Sequence, residues 1–516
     1  MQTMQKMIGH VSNIKAQVLA LTWPFWVANF MEMIERFAFY GVRVVVPIYI
    51  CQKDEVNGLH FTQAQKGTIF LWWAIVQSFL PVFTGGAADR WGYKNQIRVA
   101  IAFKVIGYLM MATQRDYDLF FAGCMMLAAG TAIFKPPVQA TFVNTLNKNN
   151  SGAGWGIFYM LVNIGAAAGP PFAHYLYGMS WAAVFYGCAA IVSVNLLVLH
   201  TYTEVKSTTK KEGGVLDVVK LTLTNIVKPK LFIFILVMSG FWAGFTQLFD
   251  VMPSYIVDWV DSSFFASHLP TYMLKTTDWA EATGIADHLP TLMLEIIRSC
   301  DHNILDTSRG LQVDQSWIIN LNALLIVALV VLVSAIVNNY MRRLSSILLG
   351  MIVSAIGLLI LPLGYGLVVC LVAIVLFSIG EMLSSPKMNE YLAVIAPEDQ
   401  KALYMGYANI PLGIGWAYGA WYGGDIYGRL GEKATLALRY MSGLPQWLVD
   451  FGIGPEKSFE LLQAALGKNA TDTTLLLWNK YQPGQVWYPF AYFIFASAIG
   501  LVIYNHFAKK WTEANA

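Results

Sequence analysis

A run of charged residues inside an otherwise apolar segment sets the first constraint on this chain. In MEMIERFAFYGVR (residues 31–43), Glu32 precedes Glu35 by three positions and Arg36 by four, and Arg43 follows Arg36 by seven. On a helix the four share roughly one face. The surrounding apolar run, expected to span residues 20–49, is long enough to cross a hydrocarbon core of about 30 Å. A charge at the bilayer centre costs roughly 2.5–3.5 kcal/mol, so four facing lipid would cost on the order of 10 kcal/mol. The face must look into protein or a water-filled cavity, with its charges paired to one another or to something that passes through.

The same conflict recurs along the chain. Of 516 residues, 56% are hydrophobic and only 13% charged, and the mean hydropathy is +0.51. A soluble protein carries about twice that charged fraction, so a polytopic helical membrane protein is expected. Apolar runs predict spans at about 20–49, 64–84, 97–114, 118–143, 155–178 and 181–202, then at 231–257, 316–339, 345–362, 369–395, 402–427 and 487–508. Between the two sets lies a lysine-rich stretch whose apolar stripe (Val215, Val218, Val219, Leu221, Val227) suits an interfacial linker helix. The expected organisation is a six-helix bundle over 1–203, a cytoplasmic linker over 204–230, and a second six-helix bundle over 231–516.

Arg90, Lys94, Arg98, Lys148, the linker lysines, Arg342, Arg343, Lys401, Lys509 and Lys510 fall on one side of this topology, whereas the opposite short loops hold little beyond Lys53 and Arg115. The asymmetry places both termini in the cytoplasm. No cleavable signal peptide is expected. Two outer segments, about 261–314 and 429–486, are too long to be simple connectors. The first carries a near-duplication, HLPTYML and HLPTLML; the second carries the amphipathic run SFELLQAALGK. Both are expected as short helices on the outer membrane surface, or else as a cap that docks a protein partner. Asn469 to Thr471 matches a glycosylation acceptor. The five cysteines lack metal-ligand spacing; Cys51 and Cys300 both fall outside the predicted spans and could pair. No nucleotide-binding loop, metal-ligand cluster or Ser/His/Asp grouping is present in the sequence, so no enzyme activity, metal, cofactor or nucleic-acid partner is expected.

Further polar residues interrupt the later spans. GGAADRWGYK supplies Gly85, Asp89, Arg90, Gly92 and Lys94, with glycines for a tight inner turn and an Asp–Arg pair able to bridge helix ends in one conformation and release in another. Lys135, before Pro136 and Pro137, needs an anion from another helix or from a ligand. Lys104, less than two turns from Arg98, is expected to snorkel to the cytoplasmic interface. Asn163 serves either an interhelical hydrogen bond or a ligand. Glu381, a lone carboxylate near the centre of the tenth span, either binds a cation or titrates, and Lys387 with Glu390 reads as a solvated or gating pair.

The G-x-x-x-D-R-x-G-x-K stretch resembles the cytoplasmic loop of the major facilitator superfamily. Glu32, Glu35, Arg36, Phe37 and Tyr40 resemble the E-x-x-E-R-F-x-Y-Y motif of its proton-dependent oligopeptide transporter (POT/PTR) family. Arg43, Lys135 before its proline, the F-Y-x-x-x-N-x-G around Asn163 and the G-E-x-x-x-S-P around Glu381 are similar to the same family, densely over 20–205 and 375–415 and patchily elsewhere. The resemblance implies an all-α major facilitator fold of twelve spans that imports di- and tripeptides on an inward proton gradient. It implies Glu32, Glu35, Arg36 and Lys135 as proton-coupling residues. Arg43 and Lys135 would hold the peptide carboxylate, Glu381, Asn163 and Asn322 its amino terminus, with Tyr40 and Trp242 also lining the site. Asp89, Arg90, Lys94, Asp250, Lys387 and Glu390 would gate. The chain departs from the pattern at Phe39, where the family has tyrosine, after Asn322, where it has proline, and in the seventh span. There the family has W-A-x-E-E-Q and this chain has Trp242, Ala243, Gly244, Phe245, Thr246 and Gln247. The acid expected to face Arg43 or Lys135 is absent, leaving Asp250, one turn beyond Thr246, as its substitute or as an outer-gate or helix-end residue. These departures fit another organic anion as cargo as well as a peptide.

Overall fold

The computed structural model describes residues 18–146, 150–204, 215–268, 284, 304–396, 407–443 and 457–513. Among them are twelve helices of 17 to 29 residues. The first six are α1 (Trp23–Cys51), α2 (Gln63–Trp91), α3 (Tyr93–Thr113), α4 (Tyr117–Asn144), α5 (Ser151–Tyr177) and α6 (Trp181–Val198). A linker helix, α7 (Val215–Ile226), follows. The seventh long helix, α8 (Pro229–Phe245), continues in two short pieces, α9 (Gln247–Asp250) and α10 (Met252–Trp259). The sequence predicts one unbroken span there. Pro253, at the start of the last piece, cannot donate a backbone hydrogen bond to the turn before it.

Seven helices among the described residues are long and apolar enough to cross a membrane. α1 is not among them: it carries Glu32, Glu35, Arg36 and Arg43 within its apolar run. The remaining elements are α11 (Ser263–His268), the antiparallel hairpin β1 (Ile304–Thr307) and β2 (Gly310–Val313), α12 (Gln315–Tyr340), α13 (Arg343–Ile360), α14 (Leu367–Ile395), α15 (Asn409–Leu430), α16 (Lys433–Met441), α17 (Ser458–Leu466), α18 (Ala470–Tyr481) and α19 (Tyr488–Glu513). The first insertion holds this hairpin beside the short helix α11: Gly310, at φ 85°, takes the left-handed turn conformation that glycine tolerates. The near-duplicated HLPT segments lie outside the described residues, apart from His268.

The chain divides into two compact units. One comprises Met1–Gly41, Val76–Gly169 and Phe185–Thr224; the other comprises Val42–Ile75, Pro170–Val184 and Asn225–Ala516. Glycines bring helices into backbone contact in each. In the first, a Cβ on Gly169 of α5 would lie 2.3 Å from the Phe37 carbonyl of α1. In the second, a Cβ on Gly424 of α15 would lie 2.4 Å from the Gln63 carbonyl of α2.

Candidate functional site

In the first unit, α1 presents Glu32, Glu35 and Arg36 inward, all buried. Arg36 Nε lies 3.1 Å from Glu32 Oε1, and its Nη2 lies 2.5 Å from Glu35 Oε2. The guanidinium also stands 5.1 Å over the ring of Phe39, a use for the aromatic face that does not require the missing hydroxyl. Tyr40 is half-buried and meets Phe39 edge to face at 5.3 Å.

Lys104 of α3 donates to Glu35 Oε1 and is itself buried, with its ammonium 4.7 Å from the Phe134 ring centroid. This overturns the expectation that Lys104 reaches the interface. Distance along its own helix places a lysine near the membrane edge but does not reveal the carboxylate that α1 sets beside it. Thr131 of α4 approaches the same Glu35 oxygen at 3.5 Å.

Lys135, also on α4, is half-buried and stands close enough to feel the charges of Arg36, Glu32, Glu35 and Lys104, yet forms no ion pair among the described residues. The cluster thus sets two carboxylates against three cations. Asn163 donates to the Tyr159 carbonyl one turn back at 2.7 Å, within its own helix α5.

The side chains of Asp89 and Arg90 lie outside the described residues. Lys94 reaches the Tyr202 carbonyl at 3.4 Å. Beside it Glu204, which the sequence did not single out, accepts the backbone N–H of Tyr93 at 2.6 Å and so caps the start of α3.

In the second unit Arg43 forms a buried ion pair with Asp250 Oδ1. Trp416 Nε1 donates to Asp250 Oδ2 at 3.1 Å, and Lys66 Nζ donates to the Asp250 backbone carbonyl at 2.9 Å. Arg43 is further sandwiched by Phe70 at 4.3 Å and Trp416 at 5.0 Å. Asp250 therefore pairs with Arg43 from one turn beyond the position where the sequence pattern leads one to look. Lys66 and Trp416 were missed; the only sequence signal for Lys66 was a lone lysine at the start of an apolar span.

Elsewhere in this unit, Asn322 donates to Glu381 Oε2 and to Ser378 Oγ, each at 3.0 Å. Trp242 is buried and its indole N–H has no hydrogen-bond partner among the described residues. Glu390 bridges Lys387 at 2.5 Å and Arg343 at 2.6 Å, with 40% of its side chain exposed. A pair this wet is worth about 0–1 kcal/mol. Cys51, one of the two cysteines considered for pairing, is a free, buried thiol that donates to the Pro47 carbonyl at 3.0 Å and lies 3.8 Å from Ser254 Oγ.

A family profile described as the Major Facilitator Superfamily matches residues 26–420, and the chain belongs to that superfamily. Its nearer likenesses include POT-family peptide transporters. It is 28% identical over 173 residues to the peptide transporter YePEPT of Yersinia enterocolitica, covering 32% of this chain and 34% of that protein. The structure of the POT family transporter PepTSo superposes with a TM-score of 0.60 at 14% identity, covering 95% of this chain and 99% of the other. A longer but weaker match, 20% over 367 residues, is to the multidrug resistance protein MdtH of Escherichia coli, covering 70% of this chain and 76% of that protein. The chain spans between 29% and 46% of the length of the first three curated relatives it matches. This is an integral membrane protein with the fold of a secondary transporter.

Proposed function

We propose that the chain is a proton-coupled symporter that imports di- and tripeptides or peptide-like small molecules by alternating access. The observation that carries this reading is the buried cluster of Glu32, Glu35, Arg36 and Lys104 with Lys135 beside it, two carboxylates against three cations. One further negative charge balances it, and a substrate carboxylate at Lys135 supplies that charge. Protonating Glu32 or Glu35 weakens its hold on the cations and favours the state that accepts the carboxylate, so proton and substrate bind cooperatively. In the second unit, Asn322 and Glu381 form a polar, anionic pair of a kind that binds an ammonium. The partial likeness to the peptide transporter YePEPT supports the same cargo.

Uptake of dialanine into proteoliposomes under an inward proton gradient tests the reading. Accumulation is expected in the wild type, and the Glu35→Gln variant is expected to equilibrate dialanine without concentrating it. Gradient-driven accumulation undiminished in Glu35→Gln would refute the coupling role. The uncompensated cation at Lys135 equally suits transport of another organic anion. A thermal-shift panel of peptides against organic anions separates the two, because only a ligand that binds the native state raises the melting temperature.

A further inference from the structure

A second charged feature lies in the second unit, at the end of the spans that carries the insertions. The end of α1, the end of α10, the hairpin turn and the insertion helices α16 and α17 form a cleft lined among others by Asp54, Asp258, Ser308, Lys433, Phe459 and Glu460. Lys433, at the start of α16, is 8% exposed. Its ammonium stands 5.5 Å from the Trp259 ring centroid and 5.0 Å from that of Phe459, with no hydrogen bond or ion pair among the described residues.

The acids closest to hand are already engaged. Asp258 accepts from Gln52 Nε2 at 3.0 Å, from the Tyr427 hydroxyl at 2.7 Å and from the backbone N–H of Lys433 at 3.3 Å. Glu432 accepts from Gln63 at 3.3 Å and from Thr435 at 2.5 Å. Arg309, from the hairpin turn, spends its guanidinium on the carbonyls of Val257 at 2.6 Å and Val260 at 3.3 Å, which adds positive charge without adding an anion. Burial, reinforced by Arg309, pushes the Lys433 ammonium down to about 7. Asp258 and Asp54 offset part of that penalty, but among the described residues neither carboxylate forms an ion pair with the ammonium. Glu460 and Asp54, both exposed, line the same cleft with carboxylates.

We infer that this cleft is a binding site for a small carboxylate-bearing molecule, its carboxylate seated on Lys433 between the faces of Trp259 and Phe459 and any ammonium it carries directed to Glu460 and Asp54. The inference deepens the transport reading, on which it rests only for whether the ligand is the transported substrate. A zwitterion would be collected here before passage; a non-transported anion would occupy the same cation.

The test is the rate of acetylation of Lys433 by an amine-reactive ester in the purified full-length protein, read by peptide mass spectrometry against Lys457 and Lys468. Dialanine and acetate are expected to protect Lys433, and dialanine amide, which lacks the carboxylate, is not. At ten times its dissociation constant a ligand leaves about one site in ten empty, so labelling slows roughly tenfold. Lack of protection by either carboxylate overturns the inference. So does a Lys433 that fails to label in the native protein, because the ammonium is then closed to ligands. The Lys433→Gln variant then assigns the source. A raised KM for dialanine uptake, with kcat unchanged and the KM restored in Lys433→Arg, identifies the transported substrate; an unchanged KM with protection intact in the wild type identifies a separate anion. The labelling needs no transport, so its failure is distinct from failure of proton coupling in Glu35→Gln.

Discussion

Asp250→Asn removes the charge on which Arg43 and Trp416 converge while keeping the shape and one acceptor oxygen. Both side chains of the Arg43–Asp250 pair are nearly inaccessible, at 4% and 2% exposure. Removing one partner of such a pair leaves an uncompensated buried charge and costs roughly 3–5 kcal/mol. The asparagine can still accept from Trp416, so the loss falls on the ion pair and not on the indole bond. At about 1.4 kcal/mol per tenfold, the penalty enlarges the population of states in which this packing is broken by roughly two to three and a half powers of ten. Cys51 is a native reporter for those states, since it is fully buried beside Ser254 of α10 while Asp250 sits a few residues earlier in the same broken helix. Maleimide labelling of Cys51, resolved from the other cysteines by peptide mass spectrometry, is expected to rise by about that factor in Asp250→Asn. Adding Arg43→Gln should recover part of the loss, because the stranded cation is then gone. Cys51 labelling as slow in Asp250→Asn as in the wild type would show that the ion pair does not hold this end of the unit closed.

Gly424→Ala should destabilise the same region by about 1–3 kcal/mol, because its Cβ would press 2.4 Å from the Gln63 carbonyl and the two backbones must part; a lower melting temperature with faster Cys51 labelling checks this. Stability should also depend on pH through Lys433. Its ammonium is held down to about 7 in the folded protein, below the ordinary lysine value, so between the two values the unfolded chain binds the extra proton. The penalty is complete below about pH 7 and fades as pH rises toward the ordinary lysine range. Melting temperature should therefore climb over that window in the wild type and climb less in Lys433→Met.

The features read correctly from sequence were those that a lipid environment forbids. Four charges in one apolar segment could not face a bilayer, and all four are buried in protein. What stayed hidden was partner choice, which depends on how helices are rotated against one another. Lys104 looked like an interfacial residue because only its distance from Arg98 was available; its partner, Glu35, lies 69 positions earlier. Asp250 looked like a doubtful substitute because the family pattern fixes an acid by position in sequence, whereas an arginine side chain can reach an acid displaced by a helical turn. Asn163 uses its own helix, an option that a search for long-range partners overlooks. The hairpin in the first insertion is too short for its alternation to register as strand, and its turn rests on the single glycine Gly310.

α1 joins these observations. The division between the two compact units passes between Gly41 and Val42, so one continuous helix carries Glu32, Glu35 and Arg36 into one unit and Arg43 into the other. Within each unit the charges are met locally, by Lys104 in the first and by Asp250 in the second. Seven residues, about two turns, separate Arg36 from Arg43, close enough to lie on one helical face. Under the proposed coupling, protonation of Glu35 acts on the ion pairs of the first set and a change at Asp250 on those of the second. The two perturbations should therefore be separable: Glu35→Gln should abolish concentrative uptake without exposing Cys51, while Asp250→Asn should expose Cys51 whether or not a proton gradient is present. If Glu35→Gln instead raised Cys51 labelling as much as Asp250→Asn does, the local balance of charge within each unit would be the wrong description, and the helix itself would have to carry the coupling between the two sets.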